Sequence, residues 1–103
     1  MRGKNMSITL NVVYKGEGSS AKAFAEEMEK SGTAGEVRRE DGCIEYAYFL
    51  PLSDDGCVLL LERWRDQAAI DTHKSSPAMK KIAGLKERFG VSTEIRKYHC
   101  CEG

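Results

Sequence analysis

Residues 57–69 read Cys57-Val58-Leu59-Leu60-Leu61-Glu62-Arg63-Trp64-Arg65-Asp66-Gln67-Ala68-Ala69, and two periodicities meet inside them. Up to Trp64 the pattern is that of a strand, with Val58, Leu60, Glu62 and Trp64 on one face and Leu59, Leu61 and Arg63 on the other. Asp66 is placed to cap a short helix through Lys74, on which Ala69, Ile70 and His73 share a face. A strand with apolar residues on both faces that passes straight into a helix asks for a helical layer on one side and a second cover on the other.

Working outward, a preceding strand starts at Cys43. Ile44, Tyr46, Tyr48 and Leu50 alternate with Cys43, Glu45, Ala47 and Phe49 until Pro51 removes a ladder donor, and Ser53-Asp54-Asp55-Gly56 turns the chain into a hairpin. Farther upstream, Ile8, Leu10, Val12 and Tyr14 alternate as a first strand, and Lys15-Gly16-Glu17-Gly18 turns it. Ser19 or Ser20 then offers an N-cap to a helix with Ala21, Phe24, Ala25 and Met28 on one stripe, ended by Gly32. Ser31 to Gly42 is polar and reads as a loop or a short extension. Downstream, Ser76-Pro77 restarts a helix with serine at the cap and proline at N1, and Ala78, Ile82, Leu85 and Phe89 continue its apolar stripe to Gly90. Val91, Thr93 and Ile95 begin a last strand. The order is strand, helix, strand, strand, helix, helix, strand, which is the split βαβ pattern of a ferredoxin-like α+β sandwich. All four strands have apolar residues on both sides, so the face without helices is expected to meet a second copy of the chain in a homodimer.

At 103 residues the chain makes one domain over 1–103, with 1–6 expected as a flexible tail. Sixteen basic and sixteen acidic side chains cancel, so no general electrostatic pull toward nucleic acid or an anionic membrane exists. No unbroken apolar run, Val58–Leu61 included, approaches the roughly 20 residues that span a bilayer. The expected location is the cytoplasm. Of the four cysteines, Cys43 and Cys57 do not fall opposite each other in the hairpin, and Cys100 and Cys101 are adjacent, so a reduced set is expected. His99-Cys100-Cys101 reads as a frayed C-terminal tail rather than a metal site, because three consecutive residues do not easily close a tetrahedron. Gly16-x-Gly18-x-x-Ala21 formally fits a dinucleotide fingerprint, but no second parallel strand follows its helix and Glu17 would meet the pyrophosphate, so it reads as a plain turn.

The segment from Glu62 through Trp64 and Asp66 to Ala69, followed by His73 and Ser76-Pro77, resembles the central motif of the antibiotic biosynthesis monooxygenase (ABM) family. Glu40-Asp41-Gly42-Cys43, with Tyr46 beyond it, is similar to that family's entry into its second strand. The resemblance implies a dimeric α+β barrel built from two ferredoxin-like protomers. It also implies a range of chemistries: oxygenases that oxidise quinols or polyketide phenols without flavin or metal, haem-degrading enzymes, and enzymes that rearrange small sugars. The haem branch is disfavoured, because His73 occupies the position of its tryptophan and Ala83 falls near that of its iron ligand. A second histidine found in many relatives after the Ser-Pro step is Ala78 here.

The favoured expectation is a cofactor-independent monooxygenase acting on a small quinol or an aromatic, polyketide-like substrate, with no cofactor and no metal. A deprotonated hydroquinone or phenol reduces dioxygen itself, so the protein need supply an apolar pocket, a base and donors to the anion. An unperturbed imidazole titrates at about 6.5, which suits His73 to the role of base. Trp64 is the candidate aromatic wall, and Tyr46, Tyr48 and Asn11 are the candidate donors. The alternatives are an isomerase or lyase of a small carbonyl compound, and a non-catalytic ligand-binding dimer in which His73 and Trp64 only pack; a filled pocket beside them would favour the last.

Overall fold

In a computed structural model that describes residues 6–101, with side chains from 7 to 99, the elements run β1 (Met6–Lys15), α1 (Ser20–Lys30), α2 (Thr33–Arg38), β2 (Cys43–Phe49), β3 (Cys57–Trp64), α3 (Gln67–Lys74), α4 (Pro77–Phe89) and β4 (Ser92–Cys101). The strands form one antiparallel sheet in the order β2-β3-β1-β4. Ile8 lies opposite Trp64, Leu10 opposite Glu62, Val12 opposite Leu60 and Tyr14 opposite Val58, so the buried rows of the two central strands coincide. These residues join the apolar stripes of the helices, led by Phe24, Met28, Val37, Ile70 and Ile82, in one core. The architecture is the ferredoxin-like α+β sandwich expected from the element order.

The helices begin and end where their signals stand. α1 buries Ala21, Phe24, Ala25 and Met28; α3 is capped by Asp66, whose Oδ1 accepts from the Ala69 N–H at 2.9 Å; and α4 starts on Pro77 and stops at Gly90, with φ of 67°. One helix was hidden. α2 lies inside the stretch expected as a loop, because its six residues offer only Ala34 and Val37 as an apolar pair, and Gly32 in the left-handed region supplies no capping side chain.

Two further differences concern the strands. Between Cys43 and Glu45 the ladder of β2 on β3 slips by one residue, since Cys43 faces Trp64 while Glu45 faces Arg63. Ile44 is thereby expelled to 53% exposure, and Cys43 packs on the core on the same side as Tyr46 and Tyr48, not opposite them as uninterrupted alternation requires. At the other end, β4 does not fray after Ile95. It pairs with β1 from Ser92 opposite Lys15 to Cys101 opposite Met6, so the His99-Cys100-Cys101 run is strand, and Met6 is strand rather than tail. The remainder of the expected tail, 1–5, lies outside the described residues.

Candidate active site

The turn before β2 brings a carboxylate to a histidine. Gly42 has φ of +87°, and a Cβ there would sit 2.4 Å from the Cβ of Ala69, so only glycine lets the turn close against α3. The Arg65 N–H donates to the Gly42 carbonyl at 2.8 Å and the Cys43 N–H to the Glu40 carbonyl at 3.1 Å, which fixes the turn between the end of β3 and the start of β2. His73 lies one helical turn beyond Ala69, and its Nδ1 meets Glu40 Oε1 at 2.8 Å. A carboxylate can only accept, so Nδ1 carries the proton and Nε2 is the nitrogen open to a ligand.

Beneath the imidazole lies Trp64, fully buried, with ring centroids 4.7 Å apart and planes 30° from parallel. Its indole N–H donates to Glu62 Oε1 at 2.9 Å. Three residues from β3 and α3 thus lock one another: the indole holds the carboxyl, and the imidazole stacks on the indole. Burial lifts the Glu62 carboxyl above the ordinary glutamate range. The Trp64 N–H and the charge of His73 oppose that rise, and Glu40 adds to it.

Between the sheet and α3–α4 opens a cleft of about 150 Å³. Its buried end is lined by Tyr14, Tyr46, Glu62 and His73, its sides by Val12, Met79 and Ile82, and its outer end by Lys86, Thr93 and Ile95. The phenols of Tyr14 and Tyr46 are pushed well above the usual tyrosine range, first by burial and then by neighbouring phenols and Glu62, so both remain neutral hydroxyls. Thr93 Oγ1 has no hydrogen-bond partner.

The family model for antibiotic biosynthesis monooxygenases matches residues 7–85, from β1 into α4. The chain belongs to that family. Among solved structures, a conserved protein of unknown function from Bacteroides thetaiotaomicron superposes with a TM-score of 0.80 at 18% identity, over 92% of this chain and 98% of that one. A candidate antibiotic biosynthesis monooxygenase from Deinococcus radiodurans gives 0.79 at 23% identity, over 93% and 94%. SnoaB, a cofactor-independent oxygenase from Streptomyces nogalater, gives 0.77 at 15% identity, over 94% and 95%. At these identities the likeness is one of fold. An uncharacterized protein of Synechocystis sp. is 40% identical over 66 residues, 63% of this chain; the match spans 45% of that relative, so the chain corresponds to less than half its length.

Within this ABM chain the residues singled out from sequence separate into three groups. His73 and Tyr46 line the cleft. Trp64 does not wall it; it packs behind His73 in the core. Tyr48 shares the Tyr46 face of β2 but faces a separate groove against α1, beside Lys22, Ala25 and Glu29. Asn11 lies across the sheet from the cleft, because it alternates with Leu10 and Val12 and pairs with Leu61 and Arg96 on the uncovered face.

Three cleft or support residues went unassigned from sequence: Tyr14, Glu40 and Glu62. The signal for Glu62 was its position, a carboxylate among Val58, Leu60 and Trp64 on an apolar strand face. Tyr14 ends the apolar face of β1 in the same way. Glu40 stands in the stretch that resembles the family's entry into its second strand, but nothing local gives it a place beside His73, which it meets across 33 residues of sequence.

Proposed function

We propose that this chain is a cofactor-independent monooxygenase of small quinols or single-ring aromatics, working as a cytoplasmic homodimer. The observation that carries the reading is the pairing of His73 with Glu40 at one end of an apolar-sided cleft. Glu40 holds the ring so that Nε2 takes a hydroxyl proton from the substrate, and the neutral phenols of Tyr14 and Tyr46 offer donors to the resulting anion. The electron-rich anion then supplies the electrons to dioxygen. A hydroquinone with a free ring position and one dioxygen give a hydroxyquinone and one water, so atoms and electrons balance without a further reductant. A cleft of about 150 Å³ is close in size to cavities that admit one benzene ring, which favours single-ring substrates over fused polyketides. The description of SnoaB as a cofactor-independent oxygenase supports the same class. An open cleft beside His73, where side chains would fill a purely structural site, supports catalysis over a packing role.

The second copy is assigned to the uncovered sheet face. Val13, Ala47, Leu59 and Leu61 lie there, with Phe49 at 49% exposure, and Asn11 Oδ1 and Arg63 Nε are buried without hydrogen bonds. A partner sheet would cover the first set and offer partners to the second. The free thiols of Cys43 and Cys57 fit a reducing compartment, and no helix among the described residues is long and apolar enough to cross a membrane.

The test is metal-free protein incubated with a panel of quinols and monocyclic phenols, with and without oxygen. Turnover should need oxygen and no added cofactor, and His73→Ala should lower kcat by about 100-fold or more. Oxygen-independent turnover of a small carbonyl compound would move the assignment to an isomerase or lyase. Unchanged oxygen uptake in the His73 variant would remove the base.

A further inference from the structure

Glu62 is an acid in a place built for an apolar side chain. Its neighbours along β3, Leu60 and Trp64, are wholly buried, and Glu62 itself is only 7% exposed. Its Oε1 accepts the Trp64 indole N–H, and no other hydrogen bond to the carboxyl exists among the described residues. Burying a carboxylate with a single donor is costly, so the site favours the neutral acid, which carries a donor O–H of its own. The groups that face it from the surrounding elements are Tyr14 of β1, Cys43, Tyr46 and Tyr48 of β2, Glu40 of the turn ahead of β2, His73 of α3 and, at the outer end of the cleft, Lys86 of α4. The cleft therefore holds two groups that can exchange a proton with a bound molecule: Glu62, whose burial favours the neutral acid, and His73, whose Nδ1 is engaged by Glu40.

We infer that Glu62 is the proton donor of the oxygenation that His73 begins, protonating the oxygen that leaves when the O–O bond of the substrate hydroperoxide breaks. This rests on the monooxygenase reading above and gives it its second half. His73 first takes the hydroxyl proton. The ring carbon of the anion bonds to dioxygen, and the resulting peroxide anion takes that proton back to become a hydroperoxide. His73 then removes the hydrogen on the same carbon, the C–H electron pair forms the new C=O, and the O–O bond breaks. The departing hydroxide takes the Glu62 proton and leaves as water. The proton on His73 returns to Glu62, and both groups are reset. Dioxygen has accepted four electrons, two in the product carbonyl and two in water, and the quinol has supplied all four.

Glu62→Gln keeps an oxygen acceptor for the Trp64 N–H and nearly the same shape, but has no proton to give. With a quinol that the wild type turns over, the variant is expected to lose about 100-fold or more in product formation while KM changes little, and to release peroxide in place of hydroxyquinone. Wild-type kcat in the variant overturns the role of Glu62 and leaves that of His73 standing. Absence of oxygen-dependent turnover in the wild type overturns both. A ¹³C titration of the Glu62 carboxyl in the wild-type protein decides the matter if the variant does not fold. A midpoint above that of exposed glutamates, at about 4.3, is expected, and a midpoint at or below it overturns the proposal.

Discussion

The two faces of the sheet are made by the same strands, yet they have been put to different uses. β3 shows the contrast most directly. Val58, Leu60, Glu62 and Trp64 point toward the helices and are buried, whereas Leu59, Leu61 and Arg63 point away and are half-buried. On the covered face the ionisable groups near the centre are each drawn into a pairing, Glu62 with Trp64 and His73 with Glu40, although Glu40 Oε2 and Thr93 Oγ1 are buried there without one. On the open face Asn11 Oδ1 and Arg63 Nε have none. A small domain has few places where it can both bury a carboxyl and keep it reachable, and the seam between sheet and helices is one. The open face has the apolar make-up that the proposed second copy would cover.

If that division holds, the largest effect should come from the covered face. Trp64→Ala removes a wholly buried indole from the centre of the core, together with its hydrogen bond to Glu62 and its stack on His73. The expected cost is about 3–5 kcal/mol by urea unfolding, a large part of a small domain's stability. A loss below about 1 kcal/mol would mean that the helical layer is not what holds the chain together.

On the open face the expected effect is on association. Leu61 sits at its middle, flanked by Asn11 on β1 and Ala47 on β2. Leu61→Asp places a charge where the partner sheet would seat, and should weaken a dimer by about a hundredfold or more while the helical signal of the protomer is retained. Sedimentation equilibrium across concentrations reads this. A wild-type chain that stays monomeric, or a variant that dimerises unchanged, breaks the comparison at its second term.

Much of this division was legible in sequence, because a period of two carries face membership directly. The buried residues of α1 and α3, and both faces of β3, follow from spacing alone. What failed was whatever interrupts a period or acts across the chain. The slip at Ile44 changes the side on which Cys43 lies without leaving a glycine or proline to mark it. α2 is too short for periodicity to register. In the site, His73 and Tyr46 were within reach because helix and strand register place them; Asn11 was misplaced by one position of parity, since its type suits a donor but its neighbours Leu10 and Val12 claim the covered face. Trp64 was assigned to the wall by its aromaticity, and its hydrogen bond to Glu62 shows why it belongs behind the wall instead. Glu40 depends on a turn that closes only because Gly42 lacks a side chain, a tertiary contact no local pattern contains.

The smallest effect tests how the covered face holds His73 in place. α3 and α4 both start with a residue that suits an N-cap, yet only one of them caps. Asp66 Oδ1 accepts the Ala69 N–H at 2.9 Å, while Ser76 Oγ is buried with no hydrogen-bond partner. Asp66→Ala should therefore cost about 1 kcal/mol in stability, and Ser76→Ala should fall within about 0.5 kcal/mol of the wild type, although sequence statistics rank the two caps alike. The first turn of α3 carries Ala69 against Gly42, and through that contact the turn that presents Glu40. Loosening it should lower kcat severalfold at unchanged fold, and the serine variant should not. Equal losses in both variants, measured side by side by thermal unfolding and oxygen uptake, would mean that the α3 cap does not govern the position of His73, and that the stack on Trp64 alone sets it.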